Sequence, residues 1–442
     1  MRTYPSFNHN SRPSRRPRAS VATGALTVAA ALLLLQGCAP AAETASEGGS
    51  DIELTFMNQS RGQEAALIQL AEQYTEETGV KIVVDSPGPA DYLPKLQAKA
   101  QSQSMPDIYS SFLATDMAAY YKAGWAMELS EELDGEWGDS FSPAVIEMST
   151  FEKGNNLGVE PGIYTVHWET QTYGFLVNPA LSGIELDSAP ETFDEFITAL
   201  ESANEDGLGN FSVAASLTPN LIQALASNWL TDDEIAATLN GESDWTTDEW
   251  KDVFQVFLDL KKAGVIANGA LTGGQDDNPN VESSFYTQAM GSIFDASPGV
   301  SVGLRTNPEF EDYVSIPVPA VDGGDLDPRS PGLPGKGAVI NPKGDHPEEA
   351  LAFVKWLTEP EQQQVFAEVG RILPSNPELL ASGDVPPQLA GFADGVENMQ
   401  VISATFTPDV KAAVVAETQR LVLGEVTVDE VLASIQAAQD RG

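Results

Sequence analysis

Two short stretches of this 442-residue chain carry side chains that could form a covalent bond. The only cysteine, Cys38, follows the apolar run AAALLLLQG, and with no second cysteine it cannot form an internal disulfide. Ser301 lies in GVSVG, which matches the G-x-S-x-G string of serine hydrolases. That string needs a strand before the serine, whereas Pro298 precedes it here, and the chain offers few histidines as a base. The sequence therefore favours a chemical role for Cys38 and argues against a nucleophilic Ser301.

The residues before Cys38 indicate what that role is. Residues 1–37 contain five arginines and no acidic residue, and an apolar stretch runs from Ala19 to Leu35. A basic segment followed by a short apolar segment predicts a secretory signal peptide over 1–37. The tail LQGC resembles the lipobox of bacterial lipoproteins, which implies that Cys38 is lipidated. Residues 38–50 are rich in small residues and are predicted to be a flexible linker.

Metal and cofactor chemistry has little support in the sequence. Beyond residue 37 the chain has two histidines, His167 and His346, and no thiol other than Cys38. Zinc and iron sites are usually built from these residue types, so we predict no metal site and no cofactor. Paired carboxylates for glycoside hydrolysis stay open as an alternative, because any acidic protein supplies candidates.

The charge of the chain limits its partners. Beyond residue 37, 18 basic residues stand against 65 acidic ones, which gives a formal charge near −47. Such a surface repels phosphate backbones, so we expect no nucleic-acid partner. After the leader, no apolar stretch is long enough to span a membrane, so we expect a globular body held at the membrane by its lipid.

Short apolar runs alternate with helical patterns from residue 51 onward. DIELTFMN and VKIVVDS are predicted strands, and the helix between them ends at Gly79. S/T-x-x-E capping boxes predict the beginnings of three later helices, at Thr192, Thr246 and Thr427. Strands alternating with helices over short connections predict an α/β protein with parallel sheets.

Six stretches, taken in their order along the chain, carry a resemblance to a known family: IELTFMNQSRGQEAALIQLAEQYTEETGVKIVV, KLQAKAQSQSMPDIYSS, YKAGWAMELSEEL, YGFLVNPALSGIELDSAPETFDEFITAL, KGAVINPKGDHPEEALAFVKWLTEPEQQQVFAEVGRILPSNPEL and LVLGEVTVDEVLASIQAAQDR. Their order resembles that of the extracellular solute-binding proteins of bacterial ABC importers, specifically the carbohydrate type that includes maltose-binding protein. This resemblance implies a two-lobed, type II periplasmic-binding-protein-like α/β fold with a ligand cleft between the lobes and hinge crossings. From the positions of the motifs we expect lobe one at 51–168 and 296–337, and lobe two at 169–295 and 338–442.

The resemblance also implies a function. We expect a binding protein rather than an enzyme, one that captures a carbohydrate by closure of its lobes and delivers it to the transmembrane subunits of an ABC permease. It would act as a monomer at the outer face of the cell membrane, anchored through Cys38. Two alternatives stay open: a binding protein for polyamines or other cations, and a surface glycan hydrolase that uses carboxylates of the same cleft.

Candidate ligand-binding residues are polar and aromatic side chains at strand ends, at the expected crossings and near helix ends. Each also has a structural interpretation, as a turn residue, a helix cap or part of the core. The candidates are Asn58, Gln59, Arg61, Phe112, Trp168, Glu169, Gln171, Asn228, Trp229, Asp295 and Arg371.

Overall fold

The computed structural model describes residues 52–59, 62–111, 114–205, 207–267, 269–271, 277–402 and 405–441. Three predicted functional residues, Cys38, Arg61 and Phe112, lie outside these ranges, as do the predicted signal peptide and linker. Among the described residues, no helix combines the length and the apolar character needed to cross a membrane.

The strands are β1 (Glu53–Met57), β2 (Lys81–Asp85), β3 (Ile108–Ser110), β4 (Thr150–Phe151), β5 (Gly162–Ile163), β6 (Val166–His167), β7 (Thr170–Val177), β8 (Phe211–Val213), β9 (Ser292–Ala296), β10 (Val314–Ile316), β11 (Gly332–Pro334) and β12 (Gly337–Ile340).

The helices are α1 (Glu64–Thr78), α2 (Pro89–Gln101), α3 (Ala114–Lys122), α4 (Ser130–Leu133), α5 (Glu136–Asp139), α6 (Pro143–Ser149), α7 (Pro179–Ser182), α8 (Phe193–Ala203), α9 (Thr218–Ala226), α10 (Asp232–Leu239), α11 (Asp248–Lys262), α12 (Asn278–Tyr286), α13 (Gly299–Thr306), α14 (Pro347–Leu357), α15 (Pro360–Gly370), α16 (Pro377–Ser382), α17 (Pro387–Glu397), α18 (Pro408–Leu423) and α19 (Val428–Gln439).

Two sheets organise the body, each with its own core. The sheet of lobe one has the order β2-β1-β3-β12-β6, in which β1 runs parallel to β2 and β3. The sheet of lobe two has the order β10-β7-β9-β8, and β11 pairs with β7. Strands β8 and β9 are parallel, and β7 runs antiparallel to β9. The predicted α/β class is confirmed.

Local signals place several elements as the sequence predicts. The helix α1 ends at Gly79, whose left-handed φ of 77° suits a residue without a Cβ. The capping boxes at Thr192 and Thr427 form, with both hydrogen bonds present. The box predicted at Thr246 does not form. Helix α11 begins at Asp248, so its N-cap residue is Thr247 rather than Thr246, and the Thr247 side chain makes no cap hydrogen bond. An unpredicted box forms at Thr231.

The structure corrects the expected division of the chain into lobes. Strand β12 pairs with β3 and β6, so residues 337–340 belong to lobe one. Helices α14 and α15 also belong there, since Phe353 and Phe366 pack in the same core as Phe56. Other residues expected in lobe one belong to lobe two. Strand β10 pairs with β7, and Val300 of α13 packs in a cluster with Ile293 of β9, so residues 299–316 are part of lobe two.

Within the described ranges, the chain therefore crosses between the lobes at three places. The first crossing, residues 168–169, lies between β6 and β7. The second, residues 335–336, lies between β11 and β12. The third, residues 373–375, follows α15 of lobe one and leads to α17, which packs on β7 and β10 of lobe two. No crossing occurs at 295/296, because the chain continues from β9 into α13 of the same lobe.

Candidate functional site

Backbone hydrogen bonds hold the three crossings side by side. The Glu169 N–H donates to the Lys336 carbonyl at 3.2 Å, and the Gly335 N–H donates to the Glu169 carbonyl at 2.9 Å. The Thr170 N–H donates to the Leu373 carbonyl at 3.0 Å, which ties in the third crossing. The crossings thus form one small hydrogen-bonded structure rather than three separate connections.

The side chain of Glu169 is part of this structure. Its carboxylate is buried and accepts the Lys336 N–H at 2.8 Å. A Cβ placed on Gly335 would lie 2.4 Å from Glu169 Cγ, so only glycine leaves room for this side chain. The Lys336 ammonium donates in turn to Gln59 Oε1, at the end of β1 in lobe one. Glu169 and Lys336 therefore connect both lobes at the hinge.

His167, at the end of β6 and directly before the first crossing, is a second buried titratable group at the hinge. Its Nδ1 lies 2.9 Å from the Gly335 carbonyl oxygen, and because a carbonyl can only accept, Nδ1 carries the proton. Burial lowers the pKa of His167 to about 4, so the ring is neutral near pH 7. The Ser375 hydroxyl donates to the His167 carbonyl, so His167 also contacts the third crossing.

A cavity of about 680 Å³ lies between the lobes, against these crossings. Lobe one contributes Gln59 and Ser111 from the carboxyl ends of the parallel strands β1 and β3. Lobe two contributes Ser216 after β8 and Pro298 after β9, at the ends of another parallel pair. Ligands of open α/β sheets bind at such strand ends. We call the residues His167, Glu169, Lys336 and Gln59, which line the cavity at the crossings, the hinge floor.

Aromatic rings line the cavity on both lobes. Tyr121 stacks on Tyr164 with ring centroids 5.3 Å apart, and Phe151 meets Tyr121 edge-on at 5.7 Å. The Tyr121 hydroxyl lies 2.8 Å from that of Thr165, and burial raises the pKa of Tyr121 to about 12. On lobe two, Tyr173 stacks on Phe294 of the core. These rings line the cavity in positions fixed by their neighbours.

Asp295 is the carboxylate of lobe two in this cavity. It is buried, and its Oδ1 accepts the Ala296 N–H at 2.8 Å. A Cβ on Gly299, the first residue of α13, would lie 2.2 Å from Asp295 Oδ2. The carboxylate therefore lies against the N-terminus of α13, where the partial positive charge of the helix favours an anion.

The two lobes touch beside the cavity. Gly62, ahead of α1 in lobe one, has a φ of 107°, and a Cβ there would lie 2.6 Å from the Ser301 hydroxyl of lobe two. Ser301 lies inside α13 and donates to the Pro298 carbonyl at 2.8 Å. Its position in a helix differs from the strand-to-helix turn of a nucleophile elbow, as the sequence indicated.

Four sequence candidates line the cavity: Gln59, Glu169, Gln171 and Asp295. Asn58 lies behind Gln59 and is buried, where its Oδ1 accepts from Ser110 and Gln63. Their role in binding a ligand stays a prediction.

Trp168 does not line the cavity. It is buried in the core of lobe one, where it stacks on Phe366 with ring centroids 5.5 Å apart and rings nearly parallel. Its Nε1 donates to Gln63 Oε1 at 3.3 Å. The expectation of an aromatic cleft face at Trp168 is therefore corrected, because the first crossing directs this side chain into the core of lobe one.

Asn228, Trp229 and Arg371 also lie away from the cavity lining. Asn228 Oδ1 accepts the Val321 N–H at 2.9 Å, and Trp229 Nε1 donates to the Gly323 carbonyl at 3.1 Å. Both anchor the long loop that precedes β11. Arg371 caps α15 in a left-handed conformation with a φ of 53° and lies 3.7 Å from a Glu311 oxygen.

Sequence reasoning missed Lys336, Tyr121 and Phe151 as cavity residues. Lys336 stands in PGLPGKG, where two glycines flank a single cation between proline-rich stretches. That pattern indicates close backbone approach and could have drawn attention to a crossing. Tyr121 and Phe151 carry no sequence signal that separates them from core aromatics. Within the described ranges, no cluster of three acidic, histidine or cysteine side chains is placed to hold a metal ion.

Two α/β lobes joined by three adjacent crossings, with a cavity between them, define a two-lobed binding protein. A family model described as bacterial extracellular solute-binding protein matches residues 58–364. The chain belongs to this family, and the predicted type II fold is confirmed. The comparison with curated protein sequences found no match.

Solved structures share the fold over nearly the whole body. The cyclic α-maltosyl-1,6-maltose binding protein from Arthrobacter globiformis is similar at 20% identity and a TM-score of 0.64, over 88% of this chain and 98% of that one. An ABC transporter solute-binding protein from Thermotoga lettingae, bound with α-D-tagatose, is similar at 18% identity and a TM-score of 0.64, over 88% of this chain and 99% of that one. A chitin oligosaccharide binding protein is similar at 21% identity and a TM-score of 0.60, over 87% of this chain and 98% of that one.

Proposed function

We propose that this solute-binding protein captures a carbohydrate in the cavity between its lobes and passes it to an ABC permease. The observation that carries the proposal is the cavity itself, in which hydrogen-bonding side chains at the crossings lie next to aromatic faces. Carbohydrates present both hydroxyl groups and apolar ring faces, and this combination of groups can contact both. The proteins of similar fold named above bind maltosyl-maltose, tagatose and chitin oligosaccharides.

The hinge disfavours the alternative of a polyamine ligand. The Lys336 ammonium lies on the same floor as the Glu169 carboxylate and would repel a second cation placed there. Enzymatic glycan hydrolysis is not part of the proposal, because the family consists of binding proteins.

A binding screen tests this function. We expect thermal denaturation in the presence of mono- and oligosaccharides, sugar acids and polyamines to show stabilisation by a sugar, since a ligand that binds only the folded state stabilises it by RT ln(1 + [L]/Kd). Small-angle scattering with that sugar should show a particle at least as compact as the free one, because the lobes close on the ligand. Stabilisation by polyamines alone would contradict the proposal.

The location of the protein forms a second part of the proposal. We infer that residues 1–37 direct export and that Cys38 carries the lipid that holds the protein at the outer face of the membrane. Metabolic labelling with a fatty acid should mark the wild type and not Cys38→Ala, while the body of the variant keeps its melting temperature. A labelled Cys38→Ala protein would contradict the inference.

A further inference from the structure

The cavity lining also includes five side chains that differ in chemistry from the hinge floor. They are half-buried and apolar: Met148 and Phe151 of lobe one, and Leu217, Leu333 and Pro334 of lobe two. We call these five residues the apolar wall. Helix α6, which carries Met148, contacts β11, which carries Leu333 and Pro334, so the wall is built from both lobes. Gly335 and Lys336 follow Pro334 directly, so the wall meets the hinge floor at the second crossing.

The wall offers few hydrogen-bond donors to a ligand. Pro334 has no N–H, and β11 is paired with β7 along Gly332–Pro334. Ser149, which also lines the cavity, directs its hydroxyl proton to the Val145 carbonyl at 2.6 Å. Gln171 lies opposite Leu333 in the pairing of β7 with β11, and its Nε2 donates to the Tyr173 hydroxyl at 3.0 Å. A ligand hydroxyl group placed against Met148 or Pro334 would leave water without gaining an equivalent partner from these side chains, which is unfavourable.

The ligand that fits both sides is polar at one end and apolar at the other. We propose that the natural ligand is a glycoside whose sugar ring lies on the hinge floor and whose aryl or alkyl substituent lies against the apolar wall. The inference rests on the carbohydrate function proposed above and specifies its ligand class. A cavity of about 680 Å³ is large enough for such a two-part molecule, since drug-sized ligands occupy pockets of roughly 300–1,000 Å³.

Calorimetric titration with matched probes tests this ligand class. The pairs are glucose and phenyl β-glucoside, galactose and phenyl β-galactoside, and xylose and phenyl β-xyloside. Maltose and cellobiose serve as two-ring probes without an apolar end. Because a buried phenyl ring gains free energy from its apolar area, we expect at least one phenyl glycoside to bind about tenfold more tightly than its parent sugar and than either disaccharide.

The possible outcomes distinguish failure of the glycoside inference from failure of the carbohydrate function on which it rests. If sugars or disaccharides bind and no phenyl glycoside binds more tightly than its parent, the inference is overturned while the carbohydrate function stands. If no probe binds and the wider screen of sugars shows no stabilisation, the carbohydrate function fails and the inference fails with it.

Substitutions in the wall provide the second readout. We expect Leu333→Ser and Phe151→Ser to reduce the affinity ratio of phenyl glycoside to parent sugar from about tenfold to below about threefold, because each removes apolar area next to the substituent. Ile68→Ser, on an exposed position of α1, is the matched control and should keep the ratio. Melting curves establish that each variant is folded, and an unchanged ratio in folded Leu333→Ser would overturn the proposal.

Discussion

The hinge floor and the apolar wall line the same cavity, yet they are held in different ways. Floor residues are bonded to one another and to all three crossings, as in the contacts of Glu169 with Lys336 and of His167 with Gly335. Wall residues such as Leu333 and Phe151 present half-buried side chains and take no part in these bonds. Substitutions in the floor should therefore change stability and the relation between the lobes, whereas substitutions in the wall should change affinity with little loss of stability.

The largest expected effect lies directly behind the floor, at Trp168. Replacing it by alanine removes a fully buried ring that stacks on Phe366, so we expect a loss of about 3–5 kcal/mol in the free energy of unfolding. Trp229→Ala, at a partly exposed tryptophan, is the matched control and should lose less. Chemical denaturation measures both, and equal losses would contradict the core position of Trp168.

The next effect concerns pH. The pKa of His167 is about 4 in the folded protein, below its ordinary 6.5, so the unfolded chain binds this proton more tightly. Its neutral burial contributes stability that is complete above pH 6.5 and is lost as the pH falls toward 4, by up to about 3 kcal/mol.

Denaturation at pH 7 and pH 4.5 measures this contribution. The pH-dependent loss should be smaller in His167→Gln than in the wild type, and His346→Gln, at a half-exposed position, should behave as the wild type. The same carboxylates are present in all three proteins, so the difference between them reports His167. An equal loss in His167→Gln and wild type would show that this residue is not the source.

A smaller effect is expected at Glu169. Alanine leaves the part-buried Lys336 N–H without this acceptor, which costs about 1–3 kcal/mol of stability. Glu169→Gln keeps a side-chain carbonyl at that position and should recover part of the loss. Glu72→Ala, at an exposed position of α1, is the control. A Glu169→Ala protein as stable as this control would show that the hinge does not depend on the bond.

The smallest change in stability is expected in the wall. Leu333→Ser alters a half-buried side chain and leaves the backbone pairing of β11 with β7 intact, so we expect a loss of no more than about 1 kcal/mol. Leu176→Ser, at a fully buried position of β7, is the matched comparison and should be far more destabilised. Similar losses at both positions would remove the distinction between wall and core.

The sequence by itself determined the elements whose signals lie within a few residues. The first strand, the helix ending at Gly79 and the boxes at Thr192 and Thr427 follow from periodicity and from caps that bond to their own first turn. The order of such elements was enough to identify the family.

The tertiary structure alone decided which sheet each later segment joins and which side chains face the cavity. Strand β12 pairs with β3, about 230 residues earlier in the chain, and nothing within GAVI specifies that partner. Two adjacent residues of the first crossing also have different surroundings that only the folded protein decides. Trp168 packs on Phe366 in the core of lobe one, whereas the Glu169 carboxylate accepts the Lys336 N–H. Caps and periodicity act between neighbours in the chain, whereas burial is decided by distant residues that meet only in the folded protein.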